Sequence, residues 1–490
     1  MNRYGGLAAR NWEDPEPAFG QDFNTTALLL PRLSTNIIDG RFAESNPNAT
    51  YAYNTNEGVS TKDAALGVKF SQGIGDWVLE SNLKGSIKSA DWQSTIANQP
   101  LGLEGFFPYL LSGIDPNFQN IPLGQVVFRD AREGTIVARV NNLGILGPFQ
   151  GAPASFEYIE GSLPNDAVLG TAPWKKIDEA TEIMEQLTFS RQTEKHHITL
   201  GGFFGYSDVE TFTSASYAYA TYENSPRSLA VTLENPGEPV IQLSDPTGIS
   251  NYGGLLYNRG DAKIQQLAFF ANDQFQPTDR LIIDGGLRYE RIGHEGEKDR
   301  SSPTFNPGGI DGDETTAFDN SVLLATTQDP FDFTYDYLSW SLGLNYKLGP
   351  DIAFFTRFSS GHKAPELNYY FNNFNGVPIN ERGTVQDILQ GEIGYKLIKP
   401  KFSLFATTFW SQLDNVAFSE FVFDQTGGGI FFTPTQFNKT TTIGLELESV
   451  VSLSDRWHMN FNATYQNAEA TRFNLFNANG TIEELSLIHI

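Results

Sequence analysis

The connections along this chain come in two sizes, and the sizes alternate. Short turns at residues 73–76, 193–195, 277–280, 348–351, 398–401 and 452–456 are separated by connections of dozens of residues, at about 90–180, 209–262, 296–334, 361–385 and 414–438. Each short turn joins two segments of roughly 9–14 residues, long enough to cross a bilayer as tilted strands. A soluble sandwich has no reason to sort its loops by size. A transmembrane barrel does, with small turns on the periplasmic side and large loops outside.

The segments beside the turns alternate with period two, the pattern of a strand with one apolar and one polar face. In 339–348 one face carries Trp340, Leu342, Leu344, Tyr346 and Leu348, and the other Ser339, Ser341, Gly343, Asn345 and Lys347. Segments 389–397, 443–451 and 457–466 repeat the pattern. Trp77, Phe275, Tyr346, Phe402 and Trp457 sit beside short turns, where an interfacial aromatic girdle belongs. The apolar face is therefore expected to meet lipid and the polar face a hydrated lumen. Six hairpins, a further strand at 3–10 and irregular strands around 415–438 give about 12–15 strands.

Composition narrows the function classes. The 490 residues carry 33 Lys and Arg against 58 Asp and Glu, a net charge of −25, which disfavours nucleic acid as a partner. Cysteine is absent, which excludes disulfides, thiolate metal sites and cysteine nucleophiles. Mean hydropathy is −0.31, and no stretch approaches the ~18 apolar residues of a membrane helix. The phenylalanine count of 38 and glycine count of 46 suit strands and tight turns better than helix packing.

No nucleophile elbow, His-Glu-x-x-His or phosphate-binding loop is present, so neither catalysis nor a cofactor is expected. His196 and His197 project to opposite faces of one strand and are ill placed to share a metal. Asp311, Asp313 and Glu314 have the oxygen density of a calcium loop without its full spacing, and no metal site is assigned. Arg259-Gly260-Asp261 is a tripeptide expected by chance. For ligand contact the candidates are Arg357, His362 and Lys363, basic groups expected at the outer end of a strand, with Tyr369 and Tyr370 in the loop beyond. Loop aromatics such as Phe106, Phe107, Tyr109, Trp174, Tyr217, Tyr219, Tyr222 and Phe371 either stack on a ligand or pack the loops on each other.

Three segments resemble the barrel of TonB-dependent outer-membrane receptors. Phe269-Phe270-Ala271-Asn272-Asp273-Gln274-Phe275 leads through Thr278-Asp279-Arg280 into Gly286-Leu287-Arg288-Tyr289-Glu290, similar to the family's aromatic–polar strand, turn and following strand. Phe355-Thr356-Arg357-Phe358-Ser359-Ser360-Gly361-His362-Lys363-Ala364-Pro365 resembles a second family segment, with His362 where an aromatic is usual. Ile443-Gly444-Leu445-Glu446 resembles the family's Gly-x-Glu strand. The likeness runs from about residue 60 to 472 and is strongest from 263 onward.

The resemblance implies an all-β fold: a large antiparallel transmembrane β-barrel, here an incomplete one of about 12–15 strands out of about 22. Residues 1–60 read as a strand remnant and an extracellular loop, and 61–490 as a partial barrel with the plug domain absent, cut from a longer coding sequence. By the same resemblance the parent protein sits in the outer membrane of a Gram-negative cell. There it takes up a scarce nutrient, a ferric siderophore foremost, with energy relayed by the TonB complex through the missing N-terminal plug. The implied partners are outer-membrane lipid, TonB and a small-molecule ligand. Two other readings stay open at this point: a passive porin-like channel, and a secreted all-β glycan-binding protein or glycosidase.

Overall fold

Exposed hydrophobic residues dominate one face of the wall that these strands build, and they fix how the molecule sits. The computed structural model describes residues 30, 32–39, 49–102, 124–144, 155–305, 308–309, 311–371, 382–418, 421–423, 430–432, 436–476, 482–485 and 488–489. The strands in chain order are β1 (Ser34–Ile38), β2 (Thr50–Asn54), β3 (Val59–Ile74), β4 (Trp77–Gly102), β5 (Gly124–Asp130), β6 (Ile136–Gly144), β7 (Ser155–Gly161) and β8 (Ala167–Gln192). They continue with β9 (His196–Thr221), β10 (Ser228–Glu234), β11 (Ile241–Gln242), β12 (Ile249–Thr278), β13 (Leu281–Phe305), β14 (Ser321–Lys347) and β15 (Ile352–Lys363). After a short helix, α1 (Leu367–Phe371), come β16 (Gln386–Lys399), β17 (Phe402–Phe418), β18 (Phe421–Phe423), β19 (Ile430–Phe432), β20 (Gln436–Ser454), β21 (Trp457–Phe476), β22 (Ile482–Leu485) and β23 (Ile488–His489).

The topology is that of a barrel. Residue-to-residue registers, all antiparallel, run through twelve long strands in the order β3-β4-β8-β9-β12-β13-β14-β15-β16-β17-β20-β21. Among the described residues no register joins β3 to β21. Every residue of β3 is exposed, and so is most of β21 up to Asn467.

Face follows sequence as expected. Trp340, Leu342, Leu344 and Tyr346 are each at least 40% exposed, and their register partners Leu287, Phe354 and Phe358 are exposed as well. Leu66, Val68, Phe70, Ile183, Leu187, Phe204, Phe269, Ile393, Ile443 and Phe461 continue the same face across the wall. Surface this apolar is unstable in water and stable against acyl chains. The five girdle aromatics all lie on this face at the short-turn end. The six turns fall where the alternation puts them; Gly75, at φ +61°, makes the two-residue reversal between β3 and β4.

The opposite face is polar and carries aromatic rings over glycines. A Cβ on Gly201, Gly394 or Gly444 would lie 2.2, 2.1 and 2.3 Å from the rings of Phe270, Phe355 and Phe409 on the neighbouring strand. What fills the space is a phenylalanine lying flat across the ladder, which shields backbone that glycine would leave bare. Lys396 Nζ caps the Phe355 ring at 4.5 Å and Arg288 lies 5.9 Å from Phe270.

Strand length departs from expectation. Instead of 9–14 residues, six strands run from 25 to 30. On β13 the apolar face ends at Tyr289; Arg291 follows opposite Asp336, then Glu295 opposite Asp332. Pairing therefore continues above the lipid band with charged residues outward. The wall there is buried from both sides: Ala167, Leu169, Ala218 and Ala220 join a cluster with Leu30, Ile37, Tyr51 and Tyr53, while the intervening Val168 and Tyr219 join one with Val126, Phe128, Ala138 and Leu229. The β1–β2 pair thus wraps the outer face and the β5–β6–β7 and β10–β11 strands line the inner one. Residues 34–38 and 50–54 pair as antiparallel strands within the stretch that the sequence reads as a strand remnant and an extracellular loop; the strand expected at 3–10 lies outside the described residues.

Candidate functional site

On β14 the aromatic row changes face. Phe331, Phe333, Tyr335 and Tyr337 occupy odd positions beside Gly296, His294, Ile292 and Glu290, on the polar face; from Leu338 onward the large residues are even and face lipid. Four rings are thereby collected inside the wall, just above the lipid band. Glu290 is the hub of the lower part. Its carboxylate accepts from Tyr337 Oη at 2.6 Å and Gln266 Nε2 at 3.0 Å, and pairs with Arg288 at 2.6 Å. Beneath lies a shallow open concavity of about 240 Å³ over Gly286, bordered by Phe270, Asn272, Arg288, Ser339 and Ser341.

The upper part is built on Tyr370, which α1 carries in from the connection after β15. Tyr370 is 1% exposed and stacks on Phe331 at 4.7 Å and Phe333 at 5.6 Å. Its hydroxyl hydrogen-bonds that of Tyr335, and His294 meets its ring edge-on at 5.8 Å. Arg382, on the returning limb of the connection, covers the Tyr335 ring at 4.7 Å and donates to the Thr334 carbonyl at 2.6 Å.

Of the five residues singled out from sequence, two reach this assembly: Tyr370 within it, and His362, which stacks on Tyr337 at 5.7 Å and approaches Asp387 at 3.9 Å. Lys363 is exposed and paired with Glu366. Arg357 is halfway along β15 rather than at its outer end, exposed and in register with Gly343 and Glu392. The side chain of Tyr369 lies outside the described residues. Tyr335, Tyr337, His294 and Arg382 were not among the candidate contacts. The phase change between Tyr337 and Leu338 was the available signal for the two tyrosines; nothing local marks Arg382.

Of the two roles open to the loop aromatics, packing accounts for those that the structure describes. Tyr217, Tyr219, Tyr222 and Phe371 are buried, and Trp174 meets Trp92 at 5.1 Å. Phe106, Phe107 and Tyr109 lie outside the described residues. In the acidic loop the carboxylates are spent on turns: Asp311 accepts from the Asp313 amide, and the amide and hydroxyl of Thr315 hold the Asp313 carboxyl below its usual range. Among the described residues no group of three or more His, Cys, Asp and Glu is placed to hold a metal. Arg259-Gly260-Asp261 lies within β12, with Arg259 paired to Glu210 and Gly260 under Phe371.

The family model described as TonB dependent receptor-like, beta-barrel matches residues 5–484. A curated relative, the Rhizobactin receptor of Rhizobium meliloti (strain 1021), is 24% identical over 192 residues, 35% of this chain and 24% of that protein. Among solved structures, the ferric yersiniabactin uptake receptor FyuA from Yersinia pestis is 13% identical, with a TM-score of 0.36 over 90% of this chain and 56% of that one. The copper transporter OprC is 9% identical, with a TM-score of 0.44 over 89% and 56%. The siderophore receptor PiuA from Acinetobacter baumannii is 12% identical, with a TM-score of 0.39 over 89% and 64%. The chain spans about half the length of the solved structures it matches.

Proposed function

Because the chain belongs to the family of TonB-dependent receptor-like β-barrels, proteins of the outer membrane that transport rather than catalyse, we propose that it serves in TonB-energised uptake of a scarce nutrient, a ferric siderophore foremost. The observation that carries this reading is the family match across 5–484, supported by a wall with one lipid-compatible face and one polar face. The relative named for rhizobactin supports the ligand class. TonB would act through a plug domain, and ligand would be captured at the long-connection end.

Arg357 and Lys363, both exposed on β15, are the proposed contacts for a charged ligand, and His362, next to Lys363, stacks on Tyr337 of the Tyr337–Glu290 network. Energised uptake and passive permeation make different predictions. Deleting the gene that encodes this chain should abolish uptake of the cognate ⁵⁵Fe-chelate, and deleting tonB should do the same. Uptake that persists without tonB would favour a passive channel.

A further inference from the structure

Among the described residues, two carboxyl groups lie on the lipid side of the wall within the apolar band, Glu185 on β8 and Asp273 on β12. Asp273 is one alternate position from the girdle residue Phe275, and His196 Nδ1 meets it at 2.7 Å. Glu185 lies deeper. Its register partners Leu83 and Phe204 and its own alternate neighbours Ile183 and Leu187 are all exposed apolar residues. The girdle residue Trp77 pairs with Arg191, six residues along β8 from Glu185, about 20 Å of strand. At the usual tilt Glu185 stands ~14 Å above the girdle, near the middle of an apolar band about 25 Å tall.

A carboxyl group at that depth is costly, and an ionisable residue within a membrane marks a contact with a partner. Ser81 Oγ donates to Glu185 Oε1 at 2.7 Å; among the described residues no Lys, Arg or His of this chain pairs with it. The ground around it is low. A Cβ on Gly85, in register with Ile183, or on Gly202, in register with Leu187, would meet nothing nearer than 3.9 and 3.7 Å, so a second wall can come close. The complementary charge is not on this chain: across the described lipid face the basic groups stand at the margins of the band, as Arg191 does over the Trp77 ring and Arg291 beyond Tyr289. A second copy would bring Glu185 only apolar or acidic groups, and a lipid headgroup does not reach mid-membrane depth.

We infer that the β4–β8–β9 sector of the lipid face is a docking surface for a different membrane-embedded protein, one that presents a Lys or Arg at mid-membrane depth to the Glu185–Ser81 pair. Leu83, Ile183, Leu187 and Phe204 then form an apolar rim around the ion pair, and Gly85 and Gly202 admit the partner's wall. Each buried charge is the other's remedy, since either one alone in hydrocarbon is uncompensated. That mutual need selects the partner over barrels with a purely apolar surface. Docking depends on which face of the wall meets lipid and not on what the protein transports.

The test uses the full chain in native outer membranes, with photoreactive benzoylphenylalanine in place of Phe204 or, on the uncharged sector around β14, of Leu342. Irradiation should give a discrete protein adduct from position 204 and none from position 342. Mass spectrometry of that adduct should identify a second protein with a Lys or Arg in the membrane-spanning segment that was captured. Glu185→Gln, which keeps the shape and loses the charge, should lower the adduct about tenfold or more, the scale of losing one desolvated charge pair. Ile183→Val should leave it unchanged. Glu185→Lys combined with an acidic residue at the partner's cation should restore it. The identity of the adduct is read with Glu185 in place, so the outcome does not hang on whether a variant inserts. Capture of lipid alone, an adduct of two copies of this chain, or a partner with no cation in its membrane band would each overturn the docking surface. So would an adduct that persists undiminished in an E185Q barrel of normal heat-modifiable mobility.

Discussion

Asp130 shows how a single side chain organises the outer end of the molecule. It closes the turn between β5 and β6 by accepting from the amides of Arg132 and Glu133 at 2.9 and 3.0 Å, and it ties that turn to Arg227 at 3.0 Å. Burial pushes its carboxyl up, but the two amides and the guanidinium outweigh it and the net direction is down. The sign follows: the tie is complete above the ordinary carboxylate range, near pH 4, and is lost only as pH falls through the lowered value. Asp130→Ala should loosen the turn by about 1–3 kcal/mol, the cost of hydrogen bonds to a charged group. Hydrogen exchange at the Arg132 and Glu133 amides reads it directly. Equal protection in variant and parent at pH 7, or loss of protection already at pH 6, would refute the assignment.

At the scale of elements, the β1–β2 pair is the part least legible in sequence. Its two strands are five residues each, too short to announce a face by alternation, and the partners that stabilise them are distant. Tyr51 meets Phe212 edge-on at 5.8 Å and lies 5.9 Å from Lys175 Nζ. Asn54 donates from its amide to Gln93, and Leu30 to Thr95. The long strands were legible in their membrane halves because lipid imposes period two. Above the band both faces of the wall are covered, the apolar pattern stops alternating, and the strands disappeared into apparent loops. Tyr51→Ala should free the outer pair from the wall at a cost of about 3 kcal/mol, typical of deleting a buried aromatic. Protease should then cut within residues 30–55 while the barrel keeps its heat-modifiable mobility. A barrel that unfolds together with the pair would mean that the two are one cooperative unit.

The molecule as a whole is a two-faced wall, and the absence of cysteine makes that testable with single probes. Ser341→Cys and Leu342→Cys are adjacent on β14 and point to opposite faces. In intact outer membranes a hydrophilic maleimide should label the first and leave the second, and detergent should equalise them. Labelling of both, or the reverse order, would overturn the orientation on which the transport reading depends. The sorting of connections by length disclosed this plan from sequence because it reflects which side of a membrane each end faces. The candidate ligand residues were less legible: Arg357 and His362 differ in place and company although five residues apart, since only His362 is in reach of Tyr337.

The double covering of the upper wall also has a mechanical meaning. Below, each strand turns one apolar face outward and carries no covering layer; above, the strands are clamped between a layer outside and a layer inside, like a hoop fitted round the neck of a soft tube. A neck so braced keeps its circumference. On the proposed transport reading, a mouth braced in this way favours passage by movement of parts fastened at few points over dilation of the rim.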